Sequence, residues 1–158
     1  MDDAAKKIAL RMITYGLYVV TTAHDGDLGA ATINWLTQAS FTPPLVVAGL
    51  RADANTLAQA RGSGAFAVNV LGTGQKDMAY AFFKPTNVEG NKLSGYEFEP
   101  APSGAPLLLE APAWFDCRVH EIIERGDHHI VIGEVTDAGV RREMAPLTLA
   151  ELGVFYGG

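Results

Sequence analysis

Two long runs of alternating side chains, joined by a short turn, restrict this chain to a largely antiparallel β architecture. The first run, AWFDCRVHEIIE, covers residues 113–124 and is expected to send successive side chains to opposite faces of one strand. A tight turn at Arg125-Gly126-Asp127 then leads into the second run, HHIVIGEVTDAGV. Because strands connected by so short a turn pair as an antiparallel hairpin, the two runs predict the closing hairpin of a sheet.

The earlier part of the chain supplies further strands of the same kind. Strands are predicted for LYVVTTA, LVVAGL and AFAVNVL, and HDGD (His24–Asp27) is predicted to be a hairpin turn in which Gly26 takes positive φ. A parallel dinucleotide-binding fold would need regular alternation of strands and helices, which this sequence lacks. The pattern therefore predicts a mainly β protein, an antiparallel barrel with short helices, forming one domain over residues 1–158.

Helical segments and one long loop are predicted between these strands. An amphipathic helix is predicted over residues 4–13, and a second helix, capped by Asp53, is expected to stop at the GSG tripeptide. A third is predicted over residues 75–83. Residues 84–107 are rich in Gly, Pro and Asn and lack periodicity, which predicts a long loop that is either functional or covers another subunit.

The charge balance and cysteine content argue against several kinds of partner. The 158-residue chain has a formal net charge of −6 and no run rich in Lys and Arg, so neither nucleic acid nor an acidic membrane is predicted to bind. Cys117 is the only cysteine, which excludes an intramolecular disulfide and a CxxC pair. The first ten residues lack the pattern of a secretory signal, and no apolar run approaches a membrane span. The predicted location is the cytoplasm.

Motifs for phosphate loops, nucleophile elbows and zinc helices are missing. The sequence has no GxxxxGK[ST], GxGxxG, GxSxG or HExxH. The GSG and GTG fragments are interpreted as a helix stop and a turn, and Cys117 as a core residue. His128 and His129 are neighbours on a predicted strand, so they point to opposite faces and cannot chelate one ion together. Either both are ordinary surface or half-buried side chains, or one of them faces a ligand cleft.

The segment GAATINWLTQASFTPPLVV concentrates neutral hydrogen-bonding groups where a core strand is expected. Thr32, Asn34, Thr37, Gln38 and Ser40 supply them. In a cofactor protein the cofactor performs the reaction, and the protein supplies binding, orientation and electrostatics. Backbone N–H groups and amides of an irregular strand stabilise the negative charge of a reduced flavin ring without a titrating residue. The alternative is a polar edge strand whose tryptophan covers the core, and composition alone slightly favours that alternative.

Several motifs, in their order along the chain, resemble the flavin reductase-like family, whose fold is an FMN-binding split β-barrel with Greek-key connections. GLYVVTT (16–22) is similar to the opening strand of the family, and ATINWLTQASFTPPL (31–45) to its main flavin segment. FAVNVL (66–71) resembles its middle strand, and FDCRV followed by GDHHIVIGEV resembles its closing hairpin. GLYVVTT together with TQASF is especially similar to the flavin reductase-like modules of flavodiiron proteins.

The resemblance implies a set of residues that contact the flavin. They are Thr32, Ile33, Asn34, Trp35, Leu36, Thr37, Ala39, Ser40, Arg51, Asn55, Thr56 and Lys92. Those between 32 and 40 are expected to line the isoalloxazine ring and the ribityl chain, largely through backbone groups. Arg51, Asn55 and Thr56 are expected near the phosphate, because a helix start offers free N–H groups there. For Arg51, a solvated surface side chain is an equally weighted alternative. His128 resembles the residue that faces the nicotinamide side and is the predicted catalytic residue.

The resemblance also implies cofactors, partners and an activity. Members bind FMN, or sometimes FAD, at the interface of a homodimer, and many use NADH or NADPH to reduce flavin for a partner monooxygenase or another acceptor. The first hypothesis is therefore an NAD(P)H-dependent flavin oxidoreductase. The second is an FMN-binding electron carrier without its own NAD(P)H activity, favoured by the bulk of Trp35 beside the expected nicotinamide position. The third is a barrel that binds no flavin.

Overall fold

A seven-stranded antiparallel sheet lies at the centre of the computed structural model, which describes residues 1–158. In chain order the strands are β1 Tyr18–His24, β2 Asp27–Ile33, β3 Leu36–Ser40, β4 Leu45–Arg51, β5 Ala65–Val70, β6 Val88–Glu89, β7 Lys92–Leu93, β8 Tyr96–Pro100, β9 Pro106–Leu108, β10 Ala113–Ile123 and β11 His128–Val140. The helices are α1 Asp3–Arg11, α2 Asn55–Ser63, α3 Lys76–Ala81 and α4 Leu149–Leu152. The large sheet has the order β2-β1-β5-β10-β11-β4-β3, and β6 to β9 form a small second sheet.

Strands β2 and β3 close the large sheet into a barrel. They lie at its opposite edges and do not pair with each other, yet only Asn34 and Trp35 separate them along the chain, so the two edges come together at that link. The chain crosses between the edges where the Gly49 N–H of β4 donates to the Trp35 carbonyl at 2.9 Å. A sheet closed in this way encloses its own core. The mainly antiparallel β-barrel predicted from the sequence is confirmed.

Two groups of buried side chains stabilise the barrel. In the first, Phe66 packs with valines and leucines of β1, β4, β5 and β11 and with Cys117. Gly133 of β11 has to be glycine there, because a Cβ atom would lie 2.5 Å from the Phe66 ring. The second group, around Leu17 and Phe82, joins the barrel to α3, α4 and the small sheet.

The turn between β1 and β2 has the predicted form. His24 pairs with Asp27, and the two residues between them take positive φ, 51° for Asp25 and 85° for Gly26. Two positive φ values in a two-residue loop match the right-handed twist of the flanking strands. Helix α2 likewise stops at Gly64, which adopts the left-handed conformation with φ 72°.

The bounds of two helices differ from the prediction. Helix α1 begins at Asp3 because the Asp2 carboxylate accepts hydrogen bonds from the N–H groups of Ala4 and Ala5, and the helix ends at Arg11. Helix α3 covers residues 76–81 alone, since Phe82 leaves the helical conformation and is buried in the core. None of the four helices has the length and apolar character needed to cross a membrane.

The long loop predicted for residues 84–107 is wrong, because this stretch forms the strands of the small sheet. Its glycines sit in tight turns between very short strands, as at Gly90 with φ 59°, so no periodicity develops. The buried Asn69 of β5 fastens this sheet to the barrel. Its Nδ2 donates to the Pro106 carbonyl at 3.3 Å, and its Oδ1 accepts from the Leu108 N–H at 2.7 Å.

The prediction that side chains alternate strictly between the two faces of β10 is also wrong. The pairing register shifts between Asp116 and Cys117 and again between Val119 and Glu121. As a result Asp116 and Cys117 are both buried. The Asp116 carboxylate accepts from the N–H and the hydroxyl of Ser103 at 3.0 and 2.6 Å, which compensates for its burial. Burial raises the pKa of the Cys117 thiol to about 12, which keeps it protonated and fits a core residue better than a nucleophile.

Candidate functional site

A cavity of about 830 Å³ opens where the barrel meets the helices and the last residues of the chain. Its walls come from β2, from the Asn34–Trp35 link, from the end of β4 with the start of α2, and from Phe82–Thr86 after α3. Leu17, His128 at the start of β11, Leu149 and Val154–Tyr156 complete the lining. The volume lies within the range of about 300–1,000 Å³ that is typical of small-molecule sites.

Most residues predicted for the site line this cavity. They are Thr32, Ile33, Asn34, Trp35, Arg51, Asn55, Thr56 and His128. The remaining predicted residues do not line it, namely Leu36, Thr37, Ala39, Ser40 and Lys92. Four of these belong to β3, where the Thr37 and Ala39 side chains are exposed, and Lys92 is exposed on β7. The polar segment is therefore divided, with its first half facing the cavity and its second half forming the polar edge strand of the alternative interpretation.

The start of α2 presents unpaired donors to the cavity. The N-cap residue is Ala54, which has no capping side chain, and the predicted Asp53 cap is wrong because that carboxylate pairs with Arg51 instead. No acceptor in the protein receives the N–H groups of Asn55 or Thr56. The Thr56 hydroxyl also lacks a partner, although the residue is only 3% exposed. Free N–H groups at a helix start attract anions, so this group of donors has the chemistry of a phosphate site.

Arg51 adds positive charge beside these donors. Its guanidinium donates to both oxygens of the Asp53 carboxylate, from Nε at 3.0 Å and from Nη2 at 2.7 Å. This hydrogen bond and the accompanying charge attraction lower the pKa of Asp53 and raise the pKa of Arg51. Both side chains are exposed, and an exposed ion pair contributes little to stability. Arg51 can therefore exchange Asp53 for a bound anion at small cost.

Trp35 belongs to a group of three rings on the wall of the cavity. Its ring centroid lies 4.5 Å from that of His128 and 5.4 Å from that of Tyr156. The indole packs onto β4 at Gly49, where a Cβ atom would lie 3.2 Å from Trp35 Cε3. Its Nε1–H is buried without an acceptor. A buried donor without an acceptor is costly, so this group also favours a ligand that accepts hydrogen bonds.

Both ring nitrogens of His128 are within hydrogen-bond distance of a partner. Nδ1 lies 2.9 Å from the Asp127 carboxylate, and Nε2 lies 2.9 Å from the Tyr156 hydroxyl. The hydrogen bond and charge interaction with His128 lower the pKa of Asp127. His129, the next residue along the strand, points to the opposite face. Of the two alternatives left open by the sequence, the structure thus has one imidazole facing a cleft.

The link between β2 and β3 leaves two adjacent backbone donors unpaired. The N–H groups of Asn34 and Trp35 donate to no acceptor in the protein. On either side the donors are used internally, because Thr32 N–H donates to the Phe82 carbonyl at 3.1 Å and Leu36 N–H donates to the Asn34 carbonyl at 3.1 Å. Fixed N–H groups of this kind stabilise negative charge on a bound group without a change in protonation.

Sequence reasoning missed two parts of the cavity wall. The sequence assigns Phe82–Thr86 partly to a helix and partly to a loop, and it gives Val154–Tyr156 no role. The only signals in these stretches are apolar, FF before KPT and VFY near the end of the chain. Tyr156 can be recognised as a cavity residue only when its contact with His128 is known.

Known proteins resemble this chain in sequence. Residues 10–157 match the family model described as flavin reductase like domain. The reductase subunit Stc3 of stachydrine N-demethylase from Rhizobium meliloti is 33% identical over 119 residues, which are 74% of this chain and 50% of that protein. Putative diflavin flavoprotein A 3 from Synechocystis is 32% identical over 140 residues, which are 87% of this chain and 23% of that protein. The chain thus spans about half the length, or less, of the first curated relatives it matches, at 50% and 43%.

A solved structure resembles the chain in fold. The NADH:FAD oxidoreductase SgcE6 from Streptomyces globisporus, in complex with NAD and FAD fragments, superposes with a TM-score of 0.76 and 30% identity. The match covers 89% of this chain and 83% of that one. The split barrel of this chain therefore has a counterpart in a solved oxidoreductase structure.

Proposed function

Because this chain belongs to the flavin reductase-like family, we propose that it is an FMN-dependent oxidoreductase that reduces flavin with hydride from NADH or NADPH. The observation that carries the proposal is the set of unpaired donors in one cavity. It comprises the N–H groups of Asn34 and Trp35, the N–H groups that open α2, and the buried hydroxyl of Thr56. Such donors bind and orient a cofactor that performs the reaction itself.

The donors fit the two polar parts of FMN. A phosphate needs hydrogen-bond donors and positive charge, which the start of α2 and Arg51 supply. The carbonyl edge of the ring needs donors that do not titrate, which Asn34 and Trp35 supply. A bound flavin would supply the hydride-accepting chemistry, and the N–H groups of Asn34 and Trp35 would stabilise the negative charge that reduction places on its ring. The protein contributes orientation, and it needs no acid–base residue for this transfer.

His128 is the proposed catalytic residue on the nicotinamide side. Its ring lies on the cavity and is held between Asp127 and Tyr156, which fixes its orientation. Lys92 and the β3 residues of the predicted site lie away from the cavity of their own chain. They stay in the proposal as residues that reach flavin in a homodimer, where a second copy can bring them to the site.

A homodimer is proposed because the chain exposes large apolar side chains directly after β3 and at the end of α1. Phe41 is 88% exposed and Met12 79% exposed, and no residue of α1 is buried. Large apolar side chains that are this exposed are available to pack against a second copy of the chain. Sedimentation equilibrium is expected to give twice the 16.8 kDa mass of the chain, and Phe41→Asp is expected to shift the protein toward monomer. A single species of monomer mass at micromolar concentration would contradict the dimer.

The electron acceptor and the location belong to the same proposal. Stc3 is named as a reductase subunit of a demethylase, so a partner monooxygenase or another acceptor is proposed to take the reduced flavin. NADH and NADPH are cytoplasmic reductants, which supports the cytoplasm as the location.

The second candidate function is an FMN-binding electron carrier without NAD(P)H activity. The Trp35, His128 and Tyr156 rings favour it, since they pack against one another on the wall where a nicotinamide would have to stack. In this case electrons would arrive from another protein.

Anaerobic titration separates the two functions. FMN-loaded protein mixed with NADH or NADPH is expected to lose its visible flavin absorption, because hydride transfer removes the oxidised chromophore. The same titration with FAD tests the alternative cofactor. Protein that binds FMN but keeps its colour with both nucleotides would support the electron carrier, and protein that binds neither flavin would contradict both functions.

A further inference from the structure

The last residues of the chain are weakly held over the cavity. We define Val154–Gly158 as the final segment. It begins after Gly153, which ends α4 in the left-handed conformation with φ 75°. No residue of the final segment makes a backbone–backbone hydrogen bond, so neither a helix nor a strand fixes its path. A stretch with few fixed hydrogen bonds opens more readily than the barrel beneath it.

A few contacts hold the final segment in place. The Tyr156 hydroxyl lies 2.9 Å from His128 Nε2, and the Tyr156 carbonyl accepts from Asn34 Nδ2 at 3.3 Å. Arg11 of α1 donates from Nε to the Gly157 carbonyl at 3.2 Å, and its guanidinium lies 5.0 Å from the centre of the Phe155 ring. Two of the three hydrogen bonds, at 3.2 and 3.3 Å, lie at the long end of the range that is usual for N–H···O hydrogen bonds.

The final segment covers the indole of Trp35. A Cβ atom on Gly157 would lie 3.8 Å from both Trp35 Nε1 and Cζ2, and the Tyr156 ring lies 5.4 Å from the indole. Beneath this cover Trp35 Nε1 is buried with no acceptor. The covered arrangement therefore leaves a donor unsatisfied, and uncovering the indole would restore its access to water or to a ligand.

We propose that the final segment is a lid, and that Tyr156 occupies the place beside Trp35 and His128 that a planar ligand must enter. This inference rests on the proposed function, because the ligand it admits is the nicotinamide ring of NADH or NADPH. The lid opens by rotation after Gly153, and opening breaks the contacts with Asn34, His128 and Arg11. The Tyr156 ring and the nicotinamide ring therefore compete for one position, and the lid slows the entry of the reductant.

The cover is tested first in protein without flavin or nucleotide. Trp114→Phe leaves Trp35 as the only tryptophan, so acrylamide quenching then reports the exposure of its indole. Tyr156→Ala, and a chain that stops after Val154, are each expected to raise the quenching constant at least twofold. Tyr80→Ala is the matched control, since Tyr80 is 44% exposed against 45% for Tyr156 and does not line the cavity. The quenching constant should rise in the same way when Trp114 is retained. This second measurement keeps the test valid if the Trp114→Phe chain folds poorly.

Competition is tested next with FMN-loaded protein. Tyr156→Ala and the shortened chain are expected to lower the KM for NADH or NADPH several-fold, because the position beside the Trp35 ring is then free. Tyr156→Phe keeps the ring and loses only the hydroxyl contact, so it is expected to lie between Tyr156→Ala and the unaltered chain. A raised KM would overturn the lid, because Tyr156 would then belong to the binding surface for the nucleotide.

The remaining outcomes separate the lid from the proposed function. Unchanged quenching in both Tyr156→Ala and the shortened chain overturns the lid, whatever the kinetics. If NADH or NADPH bleaches the flavin of the shortened chain but not that of the unaltered chain, the final segment blocks the reductant completely, which supports the lid. If neither nucleotide bleaches any variant, the reductase function fails, and the quenching result alone then decides whether the lid is upheld.

Discussion

FMN is expected to bind about 100-fold more weakly to an Arg51→Ala/Thr56→Ala double variant than to the unaltered chain, whereas riboflavin is expected to bind both equally. The double variant removes the guanidinium and the buried hydroxyl from the start of α2. Hydrogen bonds to a charged group contribute about 1.5–3 kcal/mol each, and part of this is offset because Arg51 leaves Asp53 when it binds phosphate. A net loss of about 3 kcal/mol corresponds to the stated factor.

Isothermal titration of the flavin-free protein with each ligand measures this difference. Riboflavin lacks the phosphate, so it reports whether the rest of the cavity is intact. Arg61→Ala is the matched control, because Arg61 lies in the last turn of the same helix, pairs with Glu124 and does not line the cavity. Equal weakening of FMN and riboflavin, or no weakening of FMN, would place the phosphate elsewhere.

The parts of the fold that could be predicted are those with local causes. The β10–β11 hairpin follows from alternating side chains on either side of one short turn. Gly26 follows from the two-residue loop between His24 and Asp27, because few other residues adopt positive φ there. Each of these features is determined by neighbours in sequence, so a single chain suffices to predict it.

The errors arose where a distant partner decides the local structure. Aspartate commonly caps helices, but the Arg51 guanidinium donates hydrogen bonds to both carboxylate oxygens of Asp53. The register shift of β10 buries Asp116 next to Cys117, and Ser103, from another part of the chain, compensates by hydrogen bonding to the carboxylate. Periodicity carries no information about such partners, so the cap and the strand bulge could not be predicted.

The part of the candidate site whose residues are adjacent in the chain could be predicted from the sequence. The polar segment pointed to Thr32–Trp35, and the resemblance pointed to Arg51, Thr56 and His128, all of which line the cavity. The second half of the segment forms β3, which is an edge strand because it pairs with β4 alone. The final segment was missed, since its role depends on the contact of Tyr156 with a residue 28 positions earlier.

Asn69→Leu is expected to lower the free energy of unfolding by about 2–4 kcal/mol, because it leaves several buried groups without partners. Asn69 is fully buried, and its amide bonds to the Val19 carbonyl, the Thr21 hydroxyl and the Pro106 carbonyl while accepting from the Leu108 N–H. Leucine has a similar volume, so the loss comes from hydrogen bonding and not from a cavity. A loss of this size is large against the roughly 5–15 kcal/mol of a typical domain.

Urea unfolding of the flavin-free protein measures the effect, and the melting temperature should fall by about 6–12 °C. Asn87→Leu is the control, because Asn87 is exposed in the same small-sheet region and should change stability by less than about 0.5 kcal/mol. Asn69 joins β5 of the barrel to β9 of the small sheet, so the variant should also loosen that sheet locally. Faster amide exchange at Leu108 than at Val20 would report this loosening. A stability loss no larger than that of Asn87→Leu would mean that apolar packing around Leu93 and Leu108, and not the buried amide, holds the two sheets together.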